Sequence, residues 1–301
     1  MRKFLYIISF TTLIIISTTK VNASNEAYYI NHENIEMTEQ EYNNLRSLGF
    51  SEGQIYRMDY QTFIDNKDIE GELLSETKQY VKTTITIRNG IRHYSSQIVS
   101  ENDYLTSMHT HLEDPVNSPN TSGNYYDGMT MDQYQVLTTM IASIDDDTMR
   151  YKLDVEWLDM PSTRSWDIIG IGVEAAKVQI ESLVIFRQEW ITTGDYYGHS
   201  TACAPKEELT GGSAMFELPS GSLRLLESYV YFNVIKQPNV GTLTSVIALG
   251  DYAHAITNIS DMDDAFEYYT VNYGGGIEVD EPYANSYVGA LAAEAMFAGT
   301  W

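Results

Sequence analysis

Met149-Arg150-Tyr151-Lys152-Leu153-Asp154-Val155-Glu156-Trp157-Leu158 decides the fold class. Tyr151, Leu153, Val155 and Trp157 alternate with Lys152, Asp154 and Glu156, and a period of two marks a half-buried β-strand. Further strands are predicted at Trp166–Val173, 178–193, 213–218, 223–235 and 243–256. Gly194-Asp195, Gly211-Gly212, Pro219-Ser220-Gly221 and Pro238-Asn239 are the turns between them. About six to eight strands in roughly 150 residues, with no long amphipathic helix between them, predict an antiparallel β-sandwich. At the far end Ala265 to Val271 and the glycines at 274–276 close the domain, and Tyr287 to Phe297 fits either a terminal helix or a last strand of small residues.

Upstream, Met131 to Ile144 fits a helix or a strand, and 113–130, rich in Pro, Asn, Ser, Gly and Tyr, reads as a loop. Asn89-Gly90 is a tight-turn signal, so Tyr80–Ile87 and Ile91–Val99 form a β-hairpin. A short helix is predicted at Ser100–Ser107. Before the hairpin lies a helical head. Thr38-Glu39-Gln40-Glu41 and Ser51-Glu52-Gly53-Gln54 are capping boxes, and Asp59 can cap a third turn. Leu45, Leu48, Phe50, Ile55, Met58 and Phe63 supply one shared apolar face. A head of about 35 residues is too small to stand firmly alone and is expected to lean on the rest of the chain or on a partner.

Residues 1–23 read as a cleaved secretory signal: Arg2 and Lys3, an uncharged stretch from Phe4 to Ser17, then Val21-Asn22-Ala23. About 14 uninterrupted residues are too few for the roughly 20 that span a bilayer. No lipoprotein cysteine follows, because the sole Cys is Cys203. The expected product is a secreted, extracellular chain with no membrane anchor after cleavage. The predicted organisation is a signal peptide at 1–23, the short-helix head at 24–78, a hairpin and loop-rich connector at 79–130, and the β-sandwich at 131–301.

The formal charge is −24, and the leader holds basic residues and no acidic ones, so the mature chain is more acidic still. Such a field repels phosphate and excludes nucleic acid as a natural partner. A single Cys makes no internal disulfide, so stability must come from packing, and Cys203 is expected as a small buried hydrophobe. The 23 tyrosines suit half-buried sheet faces and also stacking on sugars or proteins.

Gly250-Asp251-Tyr252-Ala253-His254 is the candidate binding segment. On a strand, Tyr252 and His254 share one face and Asp251 takes the other, so Asp251 and His254 make no direct pair. His109-Thr110-His111 has the spacing of two metal ligands on one side of a strand, and a third convergent ligand is needed for zinc. Asp145-Asp146-Asp147 and Asp261-Met262-Asp263-Asp264 are carboxylate clusters, with Asp145 and Asp147 the candidate calcium ligands. Neither matches the twelve-residue calcium loop, and no other cofactor is indicated. Serine-hydrolase elbow, zinc-protease, phosphate-loop and dinucleotide motifs are missing. A carboxylate pair of glycosidase type is defined by separation in space and not by spacing along the chain.

Thr38 to Phe63, Met160-Pro161-Ser162-Thr163-Arg164-Ser165-Trp166-Asp167 and Gly250-Asp251-Tyr252-Ala253-His254-Ala255 resemble recurring segments of uncharacterised secreted proteins of Gram-positive bacteria. The resemblance implies location and organisation and carries no activity. The Leu48-Gly49-Phe50 pattern also resembles ubiquitin-binding three-helix modules, which in an exported chain reads as convergence of small bundles. The functional expectation is an extracellular binding or interaction protein for a glycan, a cell-wall component or a protein. The alternatives are an extracellular hydrolase using carboxylates or His254, and a toxin-like or self-assembling protein.

Overall fold

The computed structural model describes residues 28–113, 128–274, 276–289 and 292–301; the stretch 1–23, expected to be an export leader, lies outside the described residues. No helix among the described residues is long and apolar enough to cross a membrane.

The head opens with a two-strand pair, β1 (Tyr29–Ile30) and β2 (Glu36–Met37), followed by α1 (Glu39–Ser47), α2 (Glu52–Arg57) and α3 (Tyr60–Asn66). Both capping boxes form: Thr38 with Glu41, and Ser51 with Gln54. Asp59 accepts from the amides of Gln61 and Thr62 and starts α3. Leu45, Leu48, Phe50, Ile55, Met58 and Phe63 are buried in one cluster that also contains Tyr229 and Tyr231 from the body. The head therefore does lean on the sheet.

The body contains β3 (Glu72–Arg88), β4 (Ile91–Val99), α4 (Glu101–Glu113), β5 (Thr130–Ser143), β6 (Thr148–Trp157), β7 (Trp166–Val173), β8 (Val178–Ile180), β9 (Ile185–Thr192), β10 (Tyr197–Ser200), β11 (Ala204–Glu208), β12 (Gly211–Glu217), β13 (Leu223–Lys236), β14 (Ser245–Ala255), α5 (Met262–Glu267), β15 (Tyr269–Asn272), β16 (Gly276–Val279), β17 (Tyr287–Gly289) and β18 (Ala293–Ala298). The larger sheet runs β10-β9-β13-β6-β5-β3-β4, with β8 also on β13. The smaller runs β11-β12-β7-β14-β17, with β18 also on β14, and β15 and β16 form a separate hairpin. Every strand pairing is antiparallel. The protein is mainly β, an antiparallel sandwich with a helical head and a hairpin.

The core lies between the two sheets. Tyr151, Leu153, Val155 and Trp157 of β6, the apolar set of the opening stretch, meet Ile169, Ile171 and Val173 of β7 and Val246 and Tyr252 of β14. Gly250 marks the closest approach, since a Cβ there would fall 2.2 Å from Thr139 Oγ1 and 2.7 Å from Leu153 Cδ1.

Several local expectations change. Met131–Ile144 resolves as strand β5. The run 178–193 divides into β8 and β9, because both pair with β13 on either side of a turn in which Ser182 accepts from the Asn233 amide. Asp261, read from sequence as part of a carboxylate cluster, accepts from the Asp264 amide and starts the short helix α5. Tyr287–Phe297 holds two strands, β17 and β18, on successive stretches of β14. The polar face of β6 is also different: Arg150, Lys152 and Asp154 are buried, because the head covers that face.

Candidate functional site

Strand registry places acids side by side on the outer face of the larger sheet. Glu189 of β9 is directly opposite Glu227 of β13, and Glu227 is opposite Glu156 of β6. The row continues through Val136 of β5 to Tyr80 of β3. One step along the strands, Tyr229 is opposite Asp154. Like charges directly opposed across strands destabilise a sheet, so the arrangement requires cations.

The head supplies part of them. Arg57, at the end of α2, donates from Nε to Glu189 at 2.6 Å and from Nη2 to Glu227. Gln54, fixed by its capping box, donates to Glu227 Oε1 at 2.6 Å. Arg187 donates to Glu189 at 2.7 Å and bridges to Asp59, the α3 cap. Lys152 pairs with Asp154, donates to Gln54 Oε1 at 3.0 Å, and lies between the rings of Phe50 and Tyr229.

The carboxylates Asp59, Asp154, Glu156, Glu189 and Glu227 outnumber Arg57, Lys152 and Arg187 in the layer. Burial pushes Glu227 up to about 8, with Asp154, Glu189 and Glu156 adding and Arg57 opposing. Burial also raises Asp154, against Lys152. Glu156 is exposed to solvent but sunk between walls, and this enclosure raises it, against Arg57 and with Asp154.

Those walls bound a cleft of about 560 Å³. Phe50, Ser51 and Arg57 form the head side, Asp154, Glu156 and Glu227 the acidic floor, and Tyr80, Tyr104 and Leu105 the far side. The Tyr80 and Tyr104 rings pack 4.9 Å apart, and Tyr80 donates to Glu101 at 2.7 Å. Burial and then Glu101 hold the Tyr80 hydroxyl at about 12, so it stays a donor. The cleft thus combines carboxylate acceptors with an aromatic wall.

The residues singled out from sequence lie elsewhere. Tyr252 and His254 do share the inner face of β14, and Asp251 takes the other. His254 Nδ1 is 2.9 Å from Asp167 Oδ2, and Asp167 also accepts from the Tyr252 hydroxyl and, at 2.9 Å, from the Ala255 amide. His254 is 4% exposed and Asp167 0%, so this group ties β14 to β7 inside the sandwich. Asp251 accepts from the amides of Tyr252 and Ile277, both at 2.7 Å, and so anchors the β15–β16 hairpin. Burial pushes its carboxyl up to about 7 against those two bonds.

His109 and His111 fall in helix α4 and not on a strand, so the alternation on which their pairing rested does not apply. Asp145 accepts from the Asp147 amide at 2.9 Å in the turn between β5 and β6. Asp261 is a helix cap. Among the described residues no group of three or more His, Cys, Asp or Glu is placed to hold a metal ion. Cys203 is half-buried, and burial holds its thiol at about 11, well away from a reactive thiolate.

Sequence reasoning missed Arg57, Glu156, Glu227, Tyr80 and Tyr104. A signal was present in the first three: charges placed mid-strand or at a helix end beside apolar neighbours need partners once covered.

No family model matches the chain, and no curated protein matches it. Among solved structures it is similar to the C-terminal domain of the Streptococcus agalactiae AgI/II polypeptide BspA, at 5% identity and a TM-score of 0.28, over 72% of this chain and 84% of that one. It is similar to the C-terminal domain of the Streptococcus pyogenes antigen I/II-family protein AspA, at 9% and 0.28 over the same shares. It is also similar to the collagen-binding domain of Erysipelothrix rhusiopathiae surface protein RspB, at 6% and 0.27 over 58% and 72%. At these identities and TM-scores the likenesses carry no argument about function.

Proposed function

We propose that this is a secreted binding protein, of the Gram-positive group its segments resemble, whose cleft takes a neutral, hydroxyl-rich ligand such as a short glycan. The observation that carries the reading is the row Glu189–Glu227–Glu156 ending at Tyr80, with Glu156 its open member in the cleft. Carboxylate oxygens accept from pairs of hydroxyls, and tyrosine rings offer a flat apolar face with a polar tip. Of the three cations that line the cleft, Arg57 is consumed by Glu189 and Glu227, Lys78 pairs with Glu76, and Arg46 donates to the Phe50 carbonyl, so a neutral ligand suits it better than an anion.

The test is calorimetric titration with a panel of neutral, cationic and anionic oligosaccharides. A neutral member should bind, and Glu156→Gln and Tyr104→Ala should each weaken it about tenfold, the value of a charged hydrogen bond or a ring contact. Binding of anionic members alone, or unchanged affinity in both variants, would contradict the reading.

The Glu156–Glu227 pair also favours a second reading, glycoside hydrolysis. Directly opposed residues place their Cβ atoms about 4.5–5.5 Å apart, within reach of the roughly 5–5.5 Å carboxyl separation that retaining glycosidases use. Reducing ends released by the wild type and not by Glu156→Gln would support it; binding without release keeps the first reading.

A further inference from the structure

Four cations are buried beneath the head: Arg57, Arg150, Lys152 and Arg187. Three pair with carboxylates. Arg150 pairs with none among the described residues. Its Nε donates to Asn233 Oδ1 at 3.1 Å and its Nη1 to Asn66 Oδ1 at 2.5 Å, while the guanidinium sits 4.6 Å from the Tyr231 ring centre. Nη2 donates to no group among the described residues. Burial lowers its pKa, Tyr231 opposing, yet a guanidinium does not lose its proton in a protein. A cation that is 4% exposed and lacks a counter-charge is a costly feature to keep.

Arg150 lines a cavity of about 750 Å³ on the α3 side of the head, away from the cleft. Ser182 and Asn233 contribute polar groups to it, and Leu183, Val184 and Phe186 an apolar flank. Leu183 is 73% exposed and Ile185 42%, and both line the same cavity. Asp59 and Asp65 also border it, the first paired with Arg187 and the second accepting from Gln61 at 2.7 Å. Their charges oppose a dianion such as phosphate but leave room for one negative charge at Arg150. With Nε and Nη1 held by Asn233 and Asn66, Nη2 keeps its N–H donors for a carboxylate oxygen, a charge-assisted bond.

We propose that this cavity is a binding site for an amphiphilic monocarboxylate, its carboxylate on Arg150 and its apolar body along Leu183, Val184 and Phe186. The site is independent of the cleft and of the glycan reading.

Octanoate is the probe, titrated into the protein by calorimetry and by thermal unfolding. It should bind and raise the melting temperature. Octanamide and inorganic phosphate should each bind at least tenfold more weakly. Arg150→Met, which removes an unpaired buried charge, should keep the fold and lose at least tenfold in octanoate affinity. Leu183→Asp, at an exposed position that the fold tolerates, should weaken octanoate severalfold and keeps the test open if Arg150→Met fails to fold. No octanoate binding, equal binding of octanamide or phosphate, or unchanged affinity in Leu183→Asp would overturn the proposal. A peptide with a leucine C-terminus that binds tighter than octanoate, and loses this on amidation, would overturn the small-ligand form in favour of a peptide end.

Discussion

Replacing Arg57 with Met probes the layer on which the cleft depends. The side chain is 8% exposed, and its guanidinium holds Glu189 at 2.6 Å and Glu227 beside it. Methionine keeps much of the aliphatic volume, so little cavity forms. Glu189 retains Arg187, while Glu227 retains only Gln54. Removing one partner of a buried pair costs about 3–5 kcal/mol when the other charge stays ionised. Here Glu227 can stay protonated instead. In the wild type it is raised from 4.5 to about 8, by burial first, with Arg57 the opposing influence. The native state thus keeps a proton that the unfolded chain releases above 4.5. That contribution is full below 4.5 and is lost as pH rises through about 8. Without Arg57 the native carboxyl titrates higher still, so the loss reaches further. Urea unfolding should therefore give a cost of about 1–2 kcal/mol at acid pH, the value of the lost hydrogen bonds, growing to about 3–5 kcal/mol at alkaline pH. A cost under about 1 kcal/mol at alkaline pH, or an equal cost at both, would refute the reasoning.

Three other outcomes follow from the geometry. Gly276 has φ +71° and a Cβ there would lie 2.0 Å from Asp251 Oδ2, so Gly276→Ala should cost about 3 kcal/mol or more, read as a lower urea midpoint; an unchanged midpoint contradicts the Asp251 anchor. Asp251 is raised from 3.8 to about 7, so the native state holds its proton and stability falls as pH rises through that window; Asp251→Asn should flatten the pH–stability curve there, and a curve of unchanged slope counts against it. His254→Ala leaves buried Asp167 short of a donor and should lower stability by about 2–4 kcal/mol while leaving any glycan affinity within about twofold; a fully stable variant that no longer binds would return the site to β14.

The sandwich was legible because its strands obey a period of two and are separated by turn residues. Tyr151 to Trp157 shows this most plainly, and Ile91–Val99 matches β4 to the residue. The capping boxes were equally plain, since Thr38 and Glu41 act within one turn. What stayed hidden depends on registry and on covering. Nothing in the sequence states that Glu227 is opposite Glu156 and Glu189, because that follows from which strands neighbour β13. Lys152 and Asp154 alternate with apolar residues as if facing water, and only the docked head makes them buried. His254 drew attention as an isolated histidine among apolar residues; its partner Asp167 lies 87 positions away. His109 and His111 misled because two-residue spacing has meaning only on a strand, and α4 extends through both.

The most direct test of the account is a crystal structure of the protein with the tightest-binding neutral oligosaccharide from the panel. The account predicts ligand density between the head and α4, with sugar hydroxyls on Glu156 and a ring against Tyr80 or Tyr104. Density at any other surface, with the cleft holding only solvent, would contradict it.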